Sequence, residues 1–319
     1  MGPAMWCGMA PDFDGQALAD VEALGRRLGL GDVRSLMERS VRSTLLHHGH
    51  SLVLHSYPHD ATLPLLLREV QRDPYALARM PGGALLDIGG HIGATAILYA
   101  RLHPEARVHT FEPVPLNFFY LAWNLVENQV SARQVFPRNA GLSSNGDNFT
   151  LRFSPTSSMK AASSVFGEYS ILSRVGGQPV ASQDVRAQSS HLGDLLGRGC
   201  LDDVAAVKLD CEGCEFDIVP AEPAFFADAR RKLFGEFHAR HTVILAKQSM
   251  SPEVLNMTWR TLCSRADWRR LVWLSCAREG SSRRPWLDDP ALVDRRGARF
   301  AAVQKARESD AGRIITPFK

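Results

Sequence analysis

Apolar runs alternate with stretches of helical spacing through the middle of the chain. Six runs have the length and composition of buried strands: 84–90, 107–113, 132–142, 204–210, 232–237 and 269–276. The stretch after the first run and the stretch opened by Pro115 carry apolar residues at helical spacing. Apolar strands that alternate with helices predict a parallel sheet covered on both faces. We therefore expect an α/β fold with a doubly wound, mostly parallel, seven-stranded sheet, in which the segment after residue 278 supplies a further strand.

The flanking segments have different patterns. Residues 1–46 are interpreted as helical because their leucines form an amphipathic stripe, and a further helix is expected after Thr62. Only 51–55 is a strand candidate in this part, and 143–190 is rich in Ser and Gly, which is typical of hairpins and loops. The predicted organisation is a helical N-terminal extension (1–80), a cofactor-binding domain (81–277) and a C-terminal strand and tail (278–319).

Composition excludes some classes of protein. The chain has 319 residues, 45% of them hydrophobic, and a formal net charge of +3, which indicates neither a nucleic-acid nor a membrane-surface partner. No apolar run approaches the roughly 20 residues that span a bilayer, and the first residues do not resemble a secretory signal. Six cysteines are spread thinly, which favours reduced thiols. These features predict a soluble cytoplasmic protein, and they do not indicate an oligomeric state.

A glycine-containing loop follows the first predicted strand and opens a helix. Backbone amides at such a loop can approach a ligand closely. Glu112 ends the next strand, 23 residues beyond Gly89, near the separation typical of an acid that binds ribose hydroxyls. The candidate cofactor-binding residues are Asp87, Gly89, Gly90, His91, Gly93, Glu112 and, as an adenine contact, Asn139.

The loop and the acid together indicate a nucleoside-containing cofactor. The spacing is not a complete G-x-G-x-x-G, and the negative charge of Asp87 suits a cationic sulfonium better than a diphosphate. S-adenosylmethionine is therefore favoured over a nicotinamide dinucleotide. A tight structural turn, a solvated strand-end acid at Glu112 and a polar loop residue at Asn139 stay open as alternatives.

Ionisable residues follow two of the predicted strands. Lys208, Asp210 and Glu212 alternate along one strand and so share a face, and Glu236 and His238 do the same on the next. Carboxyl ends of parallel strands meet where ligands bind, so these five are the candidate catalytic residues, with Asp210 or His238 as general base. A structural ion-pair network of Lys208 with Glu212 or Glu236 is the alternative.

Metal and redox chemistry are not expected. Oxygen ligands from the acids, with His238, suit Mg²⁺, but nothing else in the sequence requires a metal. Five histidines lie at 47, 48, 50, 55 and 59 in a spacing that matches no standard site, and they are expected to form a polar rim over the substrate entrance. Cys211 and Cys214 have no second pair and are expected to fill small buried positions.

Four segments together resemble the FkbM-type methyltransferase family. They are D-I-G-G-H-I-G from Asp87, F-E-P from Phe111, V-K-L-D-C-E-G-C-E from Val207 and G-E-F-H from Gly235, and the likeness covers about residues 50–245. The K-x-D-x-E-G-x-E block is the hallmark, while Gly90 and His91 depart from the Ala-Asn common in the family. The resemblance implies a Rossmann-like methyltransferase fold, S-adenosylmethionine as donor and O-methylation of a sugar or secondary metabolite.

Two other functions remain open. A non-catalytic S-adenosylmethionine-binding protein would lack a working acid and base, whereas Lys208, Asp210 and Glu212 are all present. A nicotinamide-dependent oxidoreductase would need the full dinucleotide loop. The predicted function is therefore O-methylation of a small-molecule hydroxyl, with an acceptor pocket formed by the segments 1–80, 143–190 and the tail.

Overall fold

The structure is a computed structural model of the chain. It describes residues 11–58, 60, 63–73, 75–131, 133–153, 174–175, 178–179, 183–211, 213–236 and 271–272. The chain divides into two compact units, and every described residue belongs to the unit that comprises 1–237 and 250–272. The second unit, and with it the predicted C-terminal strand and tail, lies outside the described residues.

The described part contains eight α-helices and fourteen strands. The helices are α1 (Leu18–Arg27), α2 (Val33–Glu38), α3 (Leu63–Arg72), α4 (Ala94–Leu102), α5 (Pro115–Glu127), α6 (Leu192–Gly197), α7 (Glu215–Ala221) and α8 (Pro223–Ala227), with a 3-10 turn at Leu77–Arg79. The strands are β1 (Val41–His47), β2 (His50–Ser56), β3 (Ala84–Ile88), β4 (Val108–Phe111), β5 (Val135–Arg138), β6 (Gly141–Ser143), β7 (Phe149–Phe153), β8 (Arg174–Val175), β9 (Gln178–Pro179), β10 (Gln183–Ala187), β11 (Ser189–His191), β12 (Val204–Leu209), β13 (Lys232–Glu236) and β14 (Leu271–Val272).

The central sheet has the strand order β14-β13-β12-β3-β4-β5, and every pairing in it is parallel. Each of its strands lies within one of the six apolar runs, so the predicted α/β fold with a parallel sheet is confirmed. The strands β3 and β4 are buried along their whole length, as expected of strands inside a parallel sheet. The seventh predicted strand was expected after residue 278, outside the described residues.

The strand order reverses direction between β3 and β12. From β3 the chain adds β4 and then β5 on one side, and later β12, β13 and β14 on the other. Ligands bind to open parallel sheets at such a switch point, beyond the carboxyl ends of the strands. The glycine-containing loop after β3 and the residues after β12 meet at this point.

Helix α5 lies at the centre of the hydrophobic core. The helix begins at Pro115, and nine consecutive residues from Asn117 to Leu125 are buried. It contacts α1, α4 and β2, while α4 packs against β3, β4 and β5. A helix that is apolar around most of its circumference must be covered on several sides. The N-terminal elements supply this cover, since α1 and β2 both contact α5.

The N-terminal segment differs in part from its predicted helical structure. Helices α1 and α2 form as expected, but 41–47 is the strand β1, which pairs antiparallel with β2. The turn residues His48 and Gly49 have φ angles of 46° and 81°. Two successive positive φ angles are typical of the type I′ turn, which matches the twist of a two-stranded hairpin. Tertiary packing and this turn therefore override the helical spacing of the leucines.

Two buried asparagines of α5 satisfy backbone groups of β2. Asn124 accepts a hydrogen bond from the His55 amide at 2.6 Å and donates to the carbonyls of His55 and Ile92 at 3.0 and 2.8 Å. Asn128 bonds the amide and the carbonyl of Val53. These side chains act as a substitute for a neighbouring strand, because β2 pairs only with β1 among the described strands. They also join the hairpin to the loop after β3.

The segment predicted to form hairpins and loops contains short strands outside the central sheet. Strands β7 and β10 pair antiparallel, as do β8 and β9, whereas β6 and β11 pair parallel. No helix among the described residues is long and apolar enough to cross a membrane.

Candidate active site

The loop after β3 is held closely against the neighbouring strand ends. The amides of Gly89 and Gly90 both donate to the carbonyl of Phe111, at 3.0 and 2.9 Å. Gly89 has a φ of 89°, and a Cβ atom there would collide with the backbone carbonyl of Asp210. Gly93 has a φ of 87° and precedes the first turn of α4. The first glycine therefore permits the switch-point loop to touch the end of β12, which explains its place in the motif.

A buried row of polar side chains crosses three strands of the sheet. Lys208 of β12 is in register with Asp87 of β3, which in turn is in register with Thr110 of β4. Thr110 donates to Asp87 Oδ2 at 2.8 Å, and Lys208 Nζ lies 3.4 Å from Asp87 Oδ1. The Asp87 side chain is completely buried and that of Lys208 is 6% exposed. A buried carboxylate needs such partners, because an isolated charge would be costly to desolvate.

Lys208 also joins the row to the carboxyl end of β12. Its Nζ donates to the carbonyl of Gly89 at 2.7 Å and lies 3.3 Å from Asp210 Oδ2. The Asp210 carboxylate is 28% exposed, in contrast to Asp87. One ammonium thus contacts a buried carboxylate, a partly exposed carboxylate and the glycine-containing loop Gly89–Gly93, which is called the donor loop below because it is the predicted binding site of the methyl donor. The ion pair of Lys208 with Asp87 joins β12 to β3 across the switch point. The sequence indicated Glu212 or Glu236 as the ion-pair partner of Lys208 and did not predict Asp87.

Glu112 lies at the end of β4 with its carboxylate turned toward the same loop. Glu112 Oε2 accepts the amide of His91 at 2.8 Å, and Oε1 accepts the amide of Val114 at 2.9 Å and Asn117 Nδ2 at 3.3 Å. Burial raises the pKa of Glu112 to about 7, although these three donors and Lys208 act in the opposite direction. Glu112 therefore fixes the conformation of the loop residue His91, whose φ of 50° is positive.

Asn139 lies next to Glu112, but its backbone and side-chain N–H groups already donate to protein partners. Its Nδ2 donates to the Glu112 carbonyl at 2.9 Å, and its amide donates to Asp12 Oδ2 at 2.8 Å. Asp12 also pairs with Arg138 at 3.4 Å. The role of Asn139 as an adenine contact stays a prediction. Asp12 was missed, since a contact across 127 residues of sequence leaves no local signal.

Two further residues at the site were not singled out by the sequence. Thr110 completes the buried polar row, and Asn117 fixes Glu112 from the first turns of α5. Thr110 lies beside Asp87 because β4 pairs with β3 in this register, and the sequence alone does not give the order of the strands. The Asn117 side chain is five residues from Glu112, so this contact was within reach of a spacing argument.

The loop between β12 and α7 corrects the prediction of reduced cysteines. Cys211 and Cys214 form a disulfide, with their Cα atoms 5.5 Å apart, and Cys200 is disulfide-bonded as well. The turn that precedes α7 brings the two Cα atoms to the separation usual for a disulfide, which the C-x-x-C spacing permits. Glu215, completely buried, accepts the Gly213 amide at 2.7 Å and orders the same turn.

Three of the predicted catalytic side chains fall outside the described residues. Glu212 and His238 are not described, and for Glu236 only the backbone is, as the last residue of β13. Their contribution to catalysis or to a Mg²⁺ site stays a prediction. The described residues bring together Asp87, Lys208, Asp210, Glu112 and the loop Gly89–Gly93.

Comparisons with known proteins give a family match for the part of the chain that contains this site. The sequence-family model described as the methyltransferase FkbM domain matches residues 87–256, which is more than half of the chain. A search of curated proteins gave no match.

Three solved structures are similar to parts of the chain. A methyltransferase FkbM from Methylobacillus flagellatus KT is 17% identical, with a TM-score of 0.33 over 65% of this chain and 48% of that one. A precorrin-6y C5,15-methyltransferase from Geobacter metallireducens is 16% identical, with a TM-score of 0.31 over 60% of this chain and 71% of that one. TYW2 from M. jannaschii, in complex with AdoMet, is 16% identical, with a TM-score of 0.23 over 30% of this chain and 42% of that one. The chain thus spans less than half the length of two of these structures.

The matched domain begins at Asp87 and includes the glycine loop, Glu112 and the Lys208–Asp210 pair, so the family assignment and the geometry concern the same residues. The chain belongs to the FkbM methyltransferase family.

Proposed function

We propose that this protein is a methyltransferase that transfers the methyl group of S-adenosylmethionine to a hydroxyl of a small molecule, such as a sugar or a secondary metabolite. The observation that supports this most is the pairing of Lys208 with a partly exposed carboxylate, Asp210, directly beside the donor loop. An alcohol must lose its proton as it attacks the methyl carbon, and a positioned carboxylate accepts that proton.

The described residues suit S-adenosylmethionine chemically. Asp87 and Asp210 supply two carboxylates with the cation of Lys208 between them, and Glu112, whose pKa burial raises to about 7, adds a third negative charge when it is ionised. An excess of negative charge favours a ligand that carries a sulfonium and an ammonium group. Glu112 and the closely held backbone of the loop Gly89–Gly93 would contact the nucleoside, and Asp87 would attract the positive charge of the sulfonium from beneath the loop.

The enzyme's own residues mainly align the reactants and handle one proton. When bound, S-adenosylmethionine supplies an electrophilic methyl group. Asp210 orients the acceptor hydroxyl and accepts its proton, and Lys208 fixes the carboxylate of Asp210 through their 3.3 Å contact. His238 is the second candidate base, and Glu212 and Glu236 are candidates for orienting the substrate.

The test compares the variants Asp210→Asn and Asp203→Asn. Asp203 lies just before β12, at the opposite end of the strand, and pairs with Arg107 on the surface. Each protein is assayed for S-adenosylhomocysteine formation with a panel of hydroxyl, amine and thiol acceptors, and donor affinity is measured separately. We expect D210N to lower kcat on a hydroxyl acceptor by about 100-fold or more, as for a lost general base, with donor affinity within threefold of wild type. D203N should match wild type.

Two results would overturn the proposal. Methylation of amines or thiols without any turnover of hydroxyl acceptors would exclude O-methylation. Equal losses of kcat and of donor affinity in D210N would place Asp210 in the donor site and remove it as the base.

A further inference from the structure

A cluster of two histidines and one aspartate lies at the hairpin turn, among residues that the methyltransferase site does not use. His47 ends β1, and His48 is the first residue of the turn. Their rings lie edge to face, with centroids 4.3 Å apart. Both Nε2 atoms lie 3.8 Å from Asp73 Oδ2. Asp73 follows the last residue of α3, so the cluster joins the hairpin to the end of a helix.

The Asp73 carboxylate is fixed in this orientation by the backbone. Its Oδ1 accepts the Leu77 amide at 2.8 Å, which leaves Oδ2 facing the two imidazoles. The side chain is 9% exposed. A carboxylate held through one oxygen presents the other as a single directed ligand, an arrangement that orients ligands at metal sites.

His47 has an unsatisfied nitrogen that points into the cluster. The side chain is 7% exposed, and its buried Nε2 has no hydrogen-bond partner among the described residues. The 3.8 Å separation from Asp73 Oδ2 is too long for a hydrogen bond. Leaving a buried polar atom without a partner is costly, so native structures seldom retain one without a reason such as an absent ion.

The three ligand atoms lie close enough to share one ion. They are all within 4.8 Å of one another. In a tetrahedral zinc site with bonds of about 2.0–2.2 Å, ligand atoms are separated by about 3.4 Å. Rotations that move the side-chain ends by a few tenths of an ångström to about 1 Å bring this cluster to that geometry. His48 is 52% exposed, so the remaining position of a tetrahedral ion is open to water.

We propose that His47, His48 and Asp73 bind one Zn²⁺ ion, with water as the fourth ligand. Two imidazoles and one carboxylate are a ligand set that zinc commonly takes, and Mg²⁺ and Ca²⁺ prefer oxygen ligands. The ion connects the turn between β1 and β2 to the chain after α3. Bound there, the ion stabilises the attachment of the hairpin, because β2 is bonded through Asn124 to Ile92 in the loop that precedes α4, and α3 packs against both β1 and α4.

The variant His48→Asn separates metal binding from folding. Asn is favoured at a turn position with positive φ, so this change removes a ligand while it suits the type I′ turn. His191→Asn is the matched control, because His191 is a partly exposed histidine that pairs with Asp194 at 3.0 Å without a second imidazole. Untagged, chelator-stripped proteins are titrated with Zn²⁺ by calorimetry and melted with and without the metal.

Wild type and H191N should bind one Zn²⁺ per chain with micromolar or tighter affinity. A metal concentration 100-fold above Kd should raise their Tm by about 5 °C or more. H48N should bind at least tenfold more weakly and keep a metal-free Tm equal to or above that of wild type. Failure of wild type to bind Zn²⁺, or H48N binding it as tightly as wild type, would overturn the proposal.

Discussion

Replacing Lys208 with methionine removes the cation that joins the buried row to the donor loop while it preserves the length of the side chain. Asp87, completely buried, then keeps its hydrogen bond from Thr110 but loses the ammonium 3.4 Å away. Breaking a buried ion pair by removing one partner costs about 3–5 kcal/mol. At about 2–4 °C per kcal/mol, the Tm of K208M should fall by roughly 6–20 °C.

The double variant K208M/D87N isolates the electrostatic part of this loss. The amide that D87N introduces would still accept the Thr110 hydroxyl, but the buried charge would be gone. The double variant should therefore recover at least half of the Tm that K208M loses, as measured by thermal melting of the donor-free protein. Arg107→Met is the control, because it breaks the exposed pair with Asp203 and should cost less than about 1 kcal/mol. Equal losses in K208M and in the double variant would refute the reasoning, since Lys208 would then act by packing alone.

Two further predictions concern buried polar groups around the donor loop. Because burial raises the pKa of Glu112 from 4.5 to about 7, the folded protein holds a proton there that the unfolded chain has released, and stability falls as pH rises from about 4.5 to 7. The full loss is about 3 kcal/mol, from about 2.5 pKa units at about 1.36 kcal/mol each. About 2.4 kcal/mol of this loss falls between pH 5 and 7.5, so melting curves at these two pH values should show it in wild type relative to Glu112→Gln. Parallel pH dependence of the two proteins would contradict it. Asn124→Ala leaves the amide of His55 and two buried carbonyls without their side-chain partner, so it should cost about 2–4 kcal/mol in denaturant unfolding. The exposed Asn148→Ala should stay within about 0.5 kcal/mol, and a similar small loss in N124A would exclude the strand-substitute role.

The sequence predicts the central sheet well because its strands are buried on both faces. Runs such as 84–90 and 204–210 are apolar almost throughout, which is the pattern of parallel strands. The hairpin of β1 and β2 was harder to predict. Its strands carry polar residues between leucines, and its turn uses His48 before Gly49 in place of the more usual Asn.

The candidate site was predicted in its members but not in its contacts. Asp87, Glu112, Lys208 and Asp210 were singled out because ionisable residues follow apolar runs. That Lys208 contacts Asp87 depends on β12 lying next to β3, and the Gly89 carbonyl that Lys208 binds is 119 residues away in sequence. A single sequence does not specify such a pairing, because many strand orders are compatible with the same runs.

The cysteines show that composition does not predict a local contact. Because the six cysteines are widely spaced along the chain, the sequence favoured free thiols. The structure instead joins Cys211 to Cys214 in a disulfide immediately after the candidate base Asp210. Composition describes the average environment of a residue type, and this disulfide depends on the local turn before α7.

The proposed function depends above all on binding of the methyl donor by the loop Gly89–Gly93 together with Glu112. Isothermal titration calorimetry of wild type and Glu112→Gln against S-adenosylmethionine, S-adenosylhomocysteine and NAD tests this most directly. We expect micromolar binding of both adenosyl compounds to wild type, affinity lower by at least tenfold in E112Q, and no heat with NAD. Binding of NAD without the adenosyl compounds, or an unchanged affinity in E112Q, would contradict this role of the loop.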